Sequence, residues 1–248
     1  MTVTVFTRDS ARHIALVNKL AAVTHGVHAV IESSPPLVNA PPKSPVMTEY
    51  FSRVQQAEDH IFGSGITLDS RVNTQLIATG QLNQLTPQQL PAALETDYVV
   101  VFGSSYIKGW LADALIAKNA VNLHMGISPQ YRGSACNFWA LFDNNPHLVG
   151  ATIHRLAKSL DSGSVIQHVR PEFTGQNLFH FSMQAVASGH DALASLILKN
   201  KLQTMTPQPQ DPNLEIRYSK NADFTDEIAA SFLKRLDDPT FLGRLLNS

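Results

Sequence analysis

This sequence predicts an α/β fold, a mostly parallel sheet covered by helices on both faces, and three features carry that expectation. Strand-like and helix-like stretches alternate from the start: TVTVF, then ARHIALVNKLAAV, then VHAVIE. The run DYVVVFG is apolar without interruption until Gly103, as a strand buried on both faces requires. Hydrophobic residues make up 44% of the 248 positions, enough to fill a sizeable core and to argue against wholesale disorder.

Each element has its own justification. TVTVF is β-branched and apolar, and Asp9 or Ser10 stands where the following helix needs a cap. Within that helix Ile14, Val17, Leu20 and Ala21 recur at helical spacing and would pack on a sheet. VHAVIE completes a βαβ start. Ser33 to Pro45 holds five prolines and reads as a surface loop rather than a substrate lid. A moderately polar helix is expected within MTEYFSRVQQAEDHIFG, LIA reads as a short strand, and TPQQLPAAL as a helix capped at Thr86 despite Pro91. GWLADALIAKN follows as a helix with Leu111, Leu115 and Ile116 on its buried side. Then come the strand VNLH, the helix NFWALFD and the strand VGATIHRL. After Gln167 the character changes. A long helix, roughly Phe181 to Lys199, buries Met183, Val186, Leu193, Leu196 and Ile197, and LEIRYSKNADFTDEIAASFLKRL reads as strand, turn and a helix capped at Thr225. The expected organisation is a catalytic domain over residues 1–170 with a short C-terminal α/β appendage over 171–248 packed on it.

Composition excludes several classes of function. Lys and Arg number 19 against 20 Asp and Glu, a net charge of -1, which is not the broad basic footprint of a nucleic-acid binder. The one cysteine, Cys136, rules out an internal disulfide or a multi-cysteine metal site, and it reads as a small buried residue. No His or Cys spacing resembles a zinc site, so no metal is expected. No apolar run approaches the roughly 18 residues needed to cross a bilayer, and the start lacks the basic and apolar segments of a signal peptide. A cytoplasmic location without a membrane partner is the expectation.

The chemistry concentrates in VNLHMGISPQYRG, Val121 to Gly133, and in LDSG around Asp161. If VNLH is a strand, Asn122 and His124 point the same way, because side chains alternate across a sheet. An amide donor can stabilise a developing oxyanion, and an imidazole can move a proton near neutral pH. A carboxylate from a later loop, Asp161, would complete an Asn, His, Asp site for transferring a one-carbon acyl group. In parallel sheets ligands sit beyond the carboxyl ends of the strands, so the loop after DYVVVFG and the end of VNLH could face one crevice.

NLHMGISPQYRGS, the following NFWAL, then VGATIH and LDSG resemble the 10-formyltetrahydrofolate-dependent formyltransferases. That family includes glycinamide ribonucleotide transformylase, methionyl-tRNA formyltransferase and sugar N-formyltransferases. The strong match covers about Tyr98 to His168, and the 37 residues between His124 and Asp161 suit the family's order. The resemblance implies a Rossmann-like formyltransferase fold with 10-formyltetrahydrofolate as formyl donor. It implies that Asn122 donates to the formyl oxygen, that His124 assists proton movement, and that Asp161 orients His124 and helps deprotonate the amine. Ser105, Tyr106, Ile107 and Lys108 would form the loop that cradles the pterin, and Leu156 to Leu160 would close the other side of that pocket. His154 reads as a packing or hydrogen-bonding neighbour, Tyr131 and Arg132 as residues that fix the turn, and Phe138 and Trp139 as core.

Departures from the family narrow the acceptor. The turn TRDSARH has no glycine and carries Asp9, unlike the Gly-rich phosphate turn of the ribonucleotide enzyme. A tRNA enzyme's β-barrel and basic surface are not expected here, and NFWAL resembles the sugar and small-metabolite branch. The expected partner is therefore a small-molecule amine, most simply a nucleotide-linked amino sugar, with a homodimer through the C-terminal helices as an option. A hydrolase that passes the formyl group to water and a non-catalytic folate-binding homologue are the alternatives.

Overall fold

The computed structural model describes residues 1–33, 44–238, 240, 241 and 243, so most of the proline-rich loop lies outside the described residues. The strands are β1 (Thr2–Arg8), β2 (Gly26–Ser33), β3 (Asn73–Ala78), β4 (Tyr98–Val101), β5 (Val121–His124), β6 (Tyr131–Gly133), β7 (Ala151–Arg155), β8 (Val165–Val169) and β9 (Arg217–Ser219). The helices are α1 (Ala11–Val23), α2 (Pro45–Phe62), α3 (Pro91–Leu94), α4 (Gly109–Ala117), α5 (Cys136–Phe142), α6 (Leu178–Leu198) and α7 (Asp226–Arg235). Seven strands form one sheet in the order β3-β2-β1-β4-β5-β7-β8. The first five in that order run parallel, β7 is antiparallel to β5, and β8 is antiparallel to β7. The expected α/β class and mostly parallel sheet are both present.

Strand periodicity divides the interior into two cores. In β1, Val3 and Val5 face one side and Phe6 the other; in β4, Tyr98 and Val100 oppose Val99 and Val101. The larger core joins α1, α2, α5, α6 and α7 to the sheet, and the smaller one gathers Leu111 and Leu115 of α4 with Ala93 of α3. Residues beyond 170 belong to the larger core: Leu178, Phe181, Leu193, Ile197 and Phe232 all pack there. Helix α6 touches α1, α2, β7 and β8, because its apolar residues recur on one side at helical spacing. The helix expected near Thr86 is shorter than its sequence promised. A single 3-10 turn, Pro87–Gln89, is followed by the single turn α3, each with a proline at its start. Ile116 is half-buried, at the edge of the α4 contact rather than in it.

Tyr131, Arg132 and Gly133 fix more than a turn. They form β6, which pairs in parallel with β9, so the C-terminal segment is stitched directly beside the Asn-x-His motif. Gly133 has φ +92, and a Cβ there would stand 2.0 Å from the Ser219 carbonyl oxygen. Gly163 of LDSG is similarly confined, with a Cβ position 1.7 Å from the Arg155 oxygen. Gly133→Ala should therefore separate β6 from β9 and lower stability by more than about 1 kcal/mol. A urea-unfolding midpoint equal to that of the parent protein would show that this pairing carries no stability.

Candidate active site

The end of β5 delivers the motif as its alternation requires. Val121 and Leu123 enter the larger core, so Asn122 and His124 share the opposite face. The antiparallel register sets Asn122 beside His154 and His124 beside Thr152. Asp161 enters from the loop after β7 with φ +50, and its carboxylate faces residues of β5, β6 and β7. Asn122 Nδ2 donates to Oδ1 at 3.1 Å, the Gly133 amide donates to Oδ2 at 3.0 Å, and His124 Nδ1 lies 3.4 Å from Oδ2. The three residues singled out from the sequence thus meet at one point.

Their neighbours hold them there. His154 Nδ1 donates to the Arg155 carbonyl at 2.8 Å, which leaves Nε2 as an acceptor 3.1 Å from Asn122 Nδ2. Both protons of the Asn122 amide are therefore directed, one at His154 and one at Asp161. His124 Nε2 donates to the Tyr131 carbonyl at 3.1 Å, leaving Nδ1 turned toward the carboxylate. Gln210 donates to the Asp161 and Gly163 carbonyls at 2.8 and 2.7 Å, and Arg132 donates to the Leu160 carbonyl while pairing with Glu215 at 2.9 Å. Arg132 is a brace for the Asp161 loop.

Electrostatics separate the roles of the pair. Burial disfavours charge on both groups. On Asp161 that penalty is outweighed by the His124 and His154 imidazoles and the Gly133 amide, which hold the carboxyl at about 2. Burial lowers His124 below its ordinary 6.5, against the opposing pull of Asp161. At neutral pH His124 is therefore uncharged. The bonds from Asn122 and Gly133 persist in either state, so Asp161 is the anion and His124 a neutral base. Cys136 is buried, and burial pushes its thiol up, away from nucleophilic use.

A cavity of about 1080 Å³ opens over these groups at the carboxyl ends of β1, β4 and β5. Ser105, Tyr106, Ile107, Leu156 and Leu160 line it, as the sequence led one to expect. Lys108 does not. It stands at the start of α4, and its backbone N–H is taken by Asn83 Oδ1 at 2.8 Å. Two side chains without any motif around them fix this loop. Asn83 also donates to the Tyr106 carbonyl at 2.8 Å, clamping the turn from both sides. Glu32, buried at the end of β2, accepts the Ser105 amide at 2.5 Å and the Gly80 amide at 3.0 Å. Among the described residues, no group of three or more His, Cys, Asp or Glu is arranged to hold a metal ion.

Known structures share this architecture. The formyltransferase PseJ from Anoxybacillus kamchatkensis, solved with UDP-4,6-dideoxy-4-formamido-L-AltNAc and tetrahydrofolate, is similar over 99% of this chain and 97% of its own, at TM-score 0.54 and 15% identity. A 4-N formyltransferase from Francisella tularensis is similar over 90% of this chain and 77% of its own, at TM-score 0.56 and 15% identity. Phosphoribosylglycinamide formyltransferase from Anaplasma phagocytophilum covers 81% of this chain and 88% of its own, at TM-score 0.54 and 16% identity. The chain has the formyltransferase fold. In sequence, methionyl-tRNA formyltransferase of Streptococcus sanguinis is 30% identical over 131 residues, 52% of this chain and 40% of that protein. The same enzyme of Deinococcus radiodurans is 34% identical over 97 residues, 37% of this chain and 28% of that protein. The matches span less than half the length of these curated relatives. No family model matches the chain.

Within the formyltransferase fold, Glu32 and Asn83 are the residues that sequence reasoning missed, whereas His154 is the hydrogen-bonding neighbour its strand position suggested. Glu32→Gln would turn an amide N–H toward one of the two backbone N–H groups that the carboxylate now accepts. The expected cost is on the order of 1–3 kcal/mol, read as a lower denaturation midpoint. An unchanged midpoint would mean that the loop does not depend on this carboxylate.

Proposed function

We propose that the protein is an N-formyltransferase that moves a formyl group from 10-formyltetrahydrofolate to a primary amine of a small molecule, a nucleotide-linked amino sugar. The observation that carries this reading is the convergence of Asn122, His124 and Asp161 at the mouth of a cavity large enough for two substrates. Support for the acceptor class comes from the structural relatives. One was solved with a UDP-linked formamido sugar, and another, an N-formyltransferase from Helicobacter canadensis, with folinic acid and dTDP-3-aminofucose. The reading extends to a cytoplasmic enzyme whose partner is a small molecule. Among the described residues no helix is long and apolar enough to cross a membrane.

The residues present fit a folate donor. Residues Ser104, Ser105 and Ile107 line the cavity, Tyr106 offers a half-exposed ring, and Leu156 and Leu160 supply an apolar wall. The donor supplies an activated formyl carbon; the chain supplies position and proton handling. As the amine adds to that carbon, its lone pair forms the new C–N bond and the carbonyl π electrons move to oxygen. Asn122 meets that charge by turning one N–H from Asp161 to the developing oxyanion. The ammonium loses its proton to His124 Nδ1, which lies 3.4 Å from Asp161 and is basic because the Nε2 proton is already committed to Tyr131. The same proton returns to the departing folate nitrogen as its bond to carbon breaks, giving the formamide and tetrahydrofolate.

Incubation with 10-formyltetrahydrofolate and a panel of amino sugars should release tetrahydrofolate only when an acceptor amine is present. Release of formate without an amine would replace this reading with a hydrolase. His124→Ala should lower kcat by about 10²–10⁴-fold, the usual contribution of a positioned acid-base group.

The pH dependence has a definite sign. The working form of His124 is neutral, and burial holds its titration below 6.5. Activity should therefore be full at pH 7 and fall only as pH drops through that lowered value, while Asp161 stays ionised to about 2 and adds no limb in between. An acid limb of kcat/KM centred above 6.5 would contradict the assignment of His124 as the neutral base.

A further inference from the structure

The cavity straddles the edge of the sheet, and its two walls belong to different cores. The Ile107 and Leu156 side packs with the smaller core, whereas the opposite wall is built by aromatic residues of the larger one. Tyr50 of α2 stands at the centre of that wall. Its ring centroid lies 5.4 Å from Phe51, 5.7 Å from Phe138, 5.4 Å from Phe179, 4.7 Å from Phe224 and 6.5 Å from Phe232. All six rings line the cavity.

Tyr50 is only 8% exposed, yet its hydroxyl has no hydrogen-bond partner among the described residues. It is also not one of the polar atoms sealed away from any surface. A buried tyrosine hydroxyl is normally satisfied, because leaving it dry and unpaired costs free energy. Here the hydroxyl sits at a cavity wall, inside an apolar surround that raises its pKa. That is the arrangement of a group whose partner arrives with a ligand.

The character of the wall selects what that ligand presents. Aromatic faces bury the C–H faces and methyl substituents of a pyranose ring and offer nothing to a phosphate. Arg12, which also lines the cavity, is paired with buried Glu58 at 2.6 Å. The diphosphate of a sugar nucleotide is therefore better matched by the rim, where Arg8 and Lys220 stand. We propose that the wall centred on Tyr50 is the acceptor subsite. It receives the deoxygenated, carbon-rich face of the amino sugar, with the Tyr50 hydroxyl bonding a ring substituent of that sugar. The subsite rests on the amino-sugar reading, and it places the amine across Asn122, His124 and Asp161 from the donor loop.

The test uses the full chain, 10-formyltetrahydrofolate and a nucleoside-diphosphate-linked aminodideoxy sugar. Tyr50→Phe keeps the ring packing and removes only the hydroxyl. It should raise the acceptor KM by about tenfold, the scale of one hydrogen bond, while donor KM and the thermal midpoint stay unchanged and kcat moves less than twofold. An unchanged acceptor KM, or an equal rise in both KM values, overturns the subsite. Saturation-transfer NMR with the same sugar nucleotide separates this result from a failure of the proposed function. Transfer from aromatic protons to the sugar ring, weakened in Tyr50→Leu, supports the subsite even if no formyl transfer occurs. Transfer confined to the nucleobase, or none at all, overturns it.

Discussion

The buried carboxylate of Asp161 is the point through which the site is assembled. A charge in an apolar surround is tolerable only when bonds replace the water it has lost. Asn122 and Gly133 supply two such bonds, and the imidazoles of His124 and His154 close around the same carboxylate. These partners arrive on three strands, Asn122 and His124 on β5, Gly133 on β6 and His154 on β7. Ionising that one group therefore ties β5, β6 and β7 to the loop after β7. The backbone around Asp161 is adjusted to suit. Its left-handed φ turns the side chain inward, while Gln210 and Arg132 take up the carbonyls that this turn would leave exposed. The glycine two residues later has no room for a side chain against β7. The spacing of the Leu-Asp-x-Gly segment is thus a packing requirement as well as a chemical one.

Around that anchor the sheet edge separates two tasks. On one side the loop after β4 is fixed by Glu32 and Asn83, both of which use side-chain atoms to hold main-chain groups of neighbouring turns. On the other, aromatic residues from α2, α5, α6 and α7 converge, so that the wall exists only when the C-terminal helices are in place. Positioning of this kind lowers a barrier by removing the entropy of bringing reactants together before the reaction begins. The pairing of β6 with β9 extends the same dependence, because Gly133 both ends that short strand and donates to Asp161.

Much of this was legible in the sequence because the informative features are local. DYVVVFG could only be a central strand, and alternation in VNLH placed Asn122 with His124 before any coordinates did. Ordered motifs then brought Asp161 to the same point. Glu32 was silent because a glutamate at a strand end commonly faces solvent; its burial depends on two amides, Gly80 and Ser105, at sequence separations of 48 and 73. Asn83 lies between the short strand at LIA and the turn at Thr86, where no motif or period marks it. Tyr131 to Gly133 reads as a turn because three residues carry no strand period, and their partner lies more than 80 residues away. Tyr50 looked like one more residue of a polar helix, since its aromatic neighbours come from four separate segments.

The double engagement of Asn122 links the chemistry to its timing. Before substrates meet, both amide protons are held by acceptors of the protein itself, so the donor is already aimed and needs only to change partner. In the proposed reaction, the N–H that leaves Asp161 for the developing oxyanion removes one of the bonds that stabilise the carboxylate. Losing that bond leaves Asp161 with more negative charge to share with His124 at the moment that imidazole takes the proton of the ammonium. His154 keeps the other proton throughout, because its Nδ1 is fixed on the Arg155 carbonyl and its Nε2 can only accept. The amide therefore pivots rather than drifts. Charge stabilisation on oxygen and proton capture from nitrogen are coupled through a single side chain.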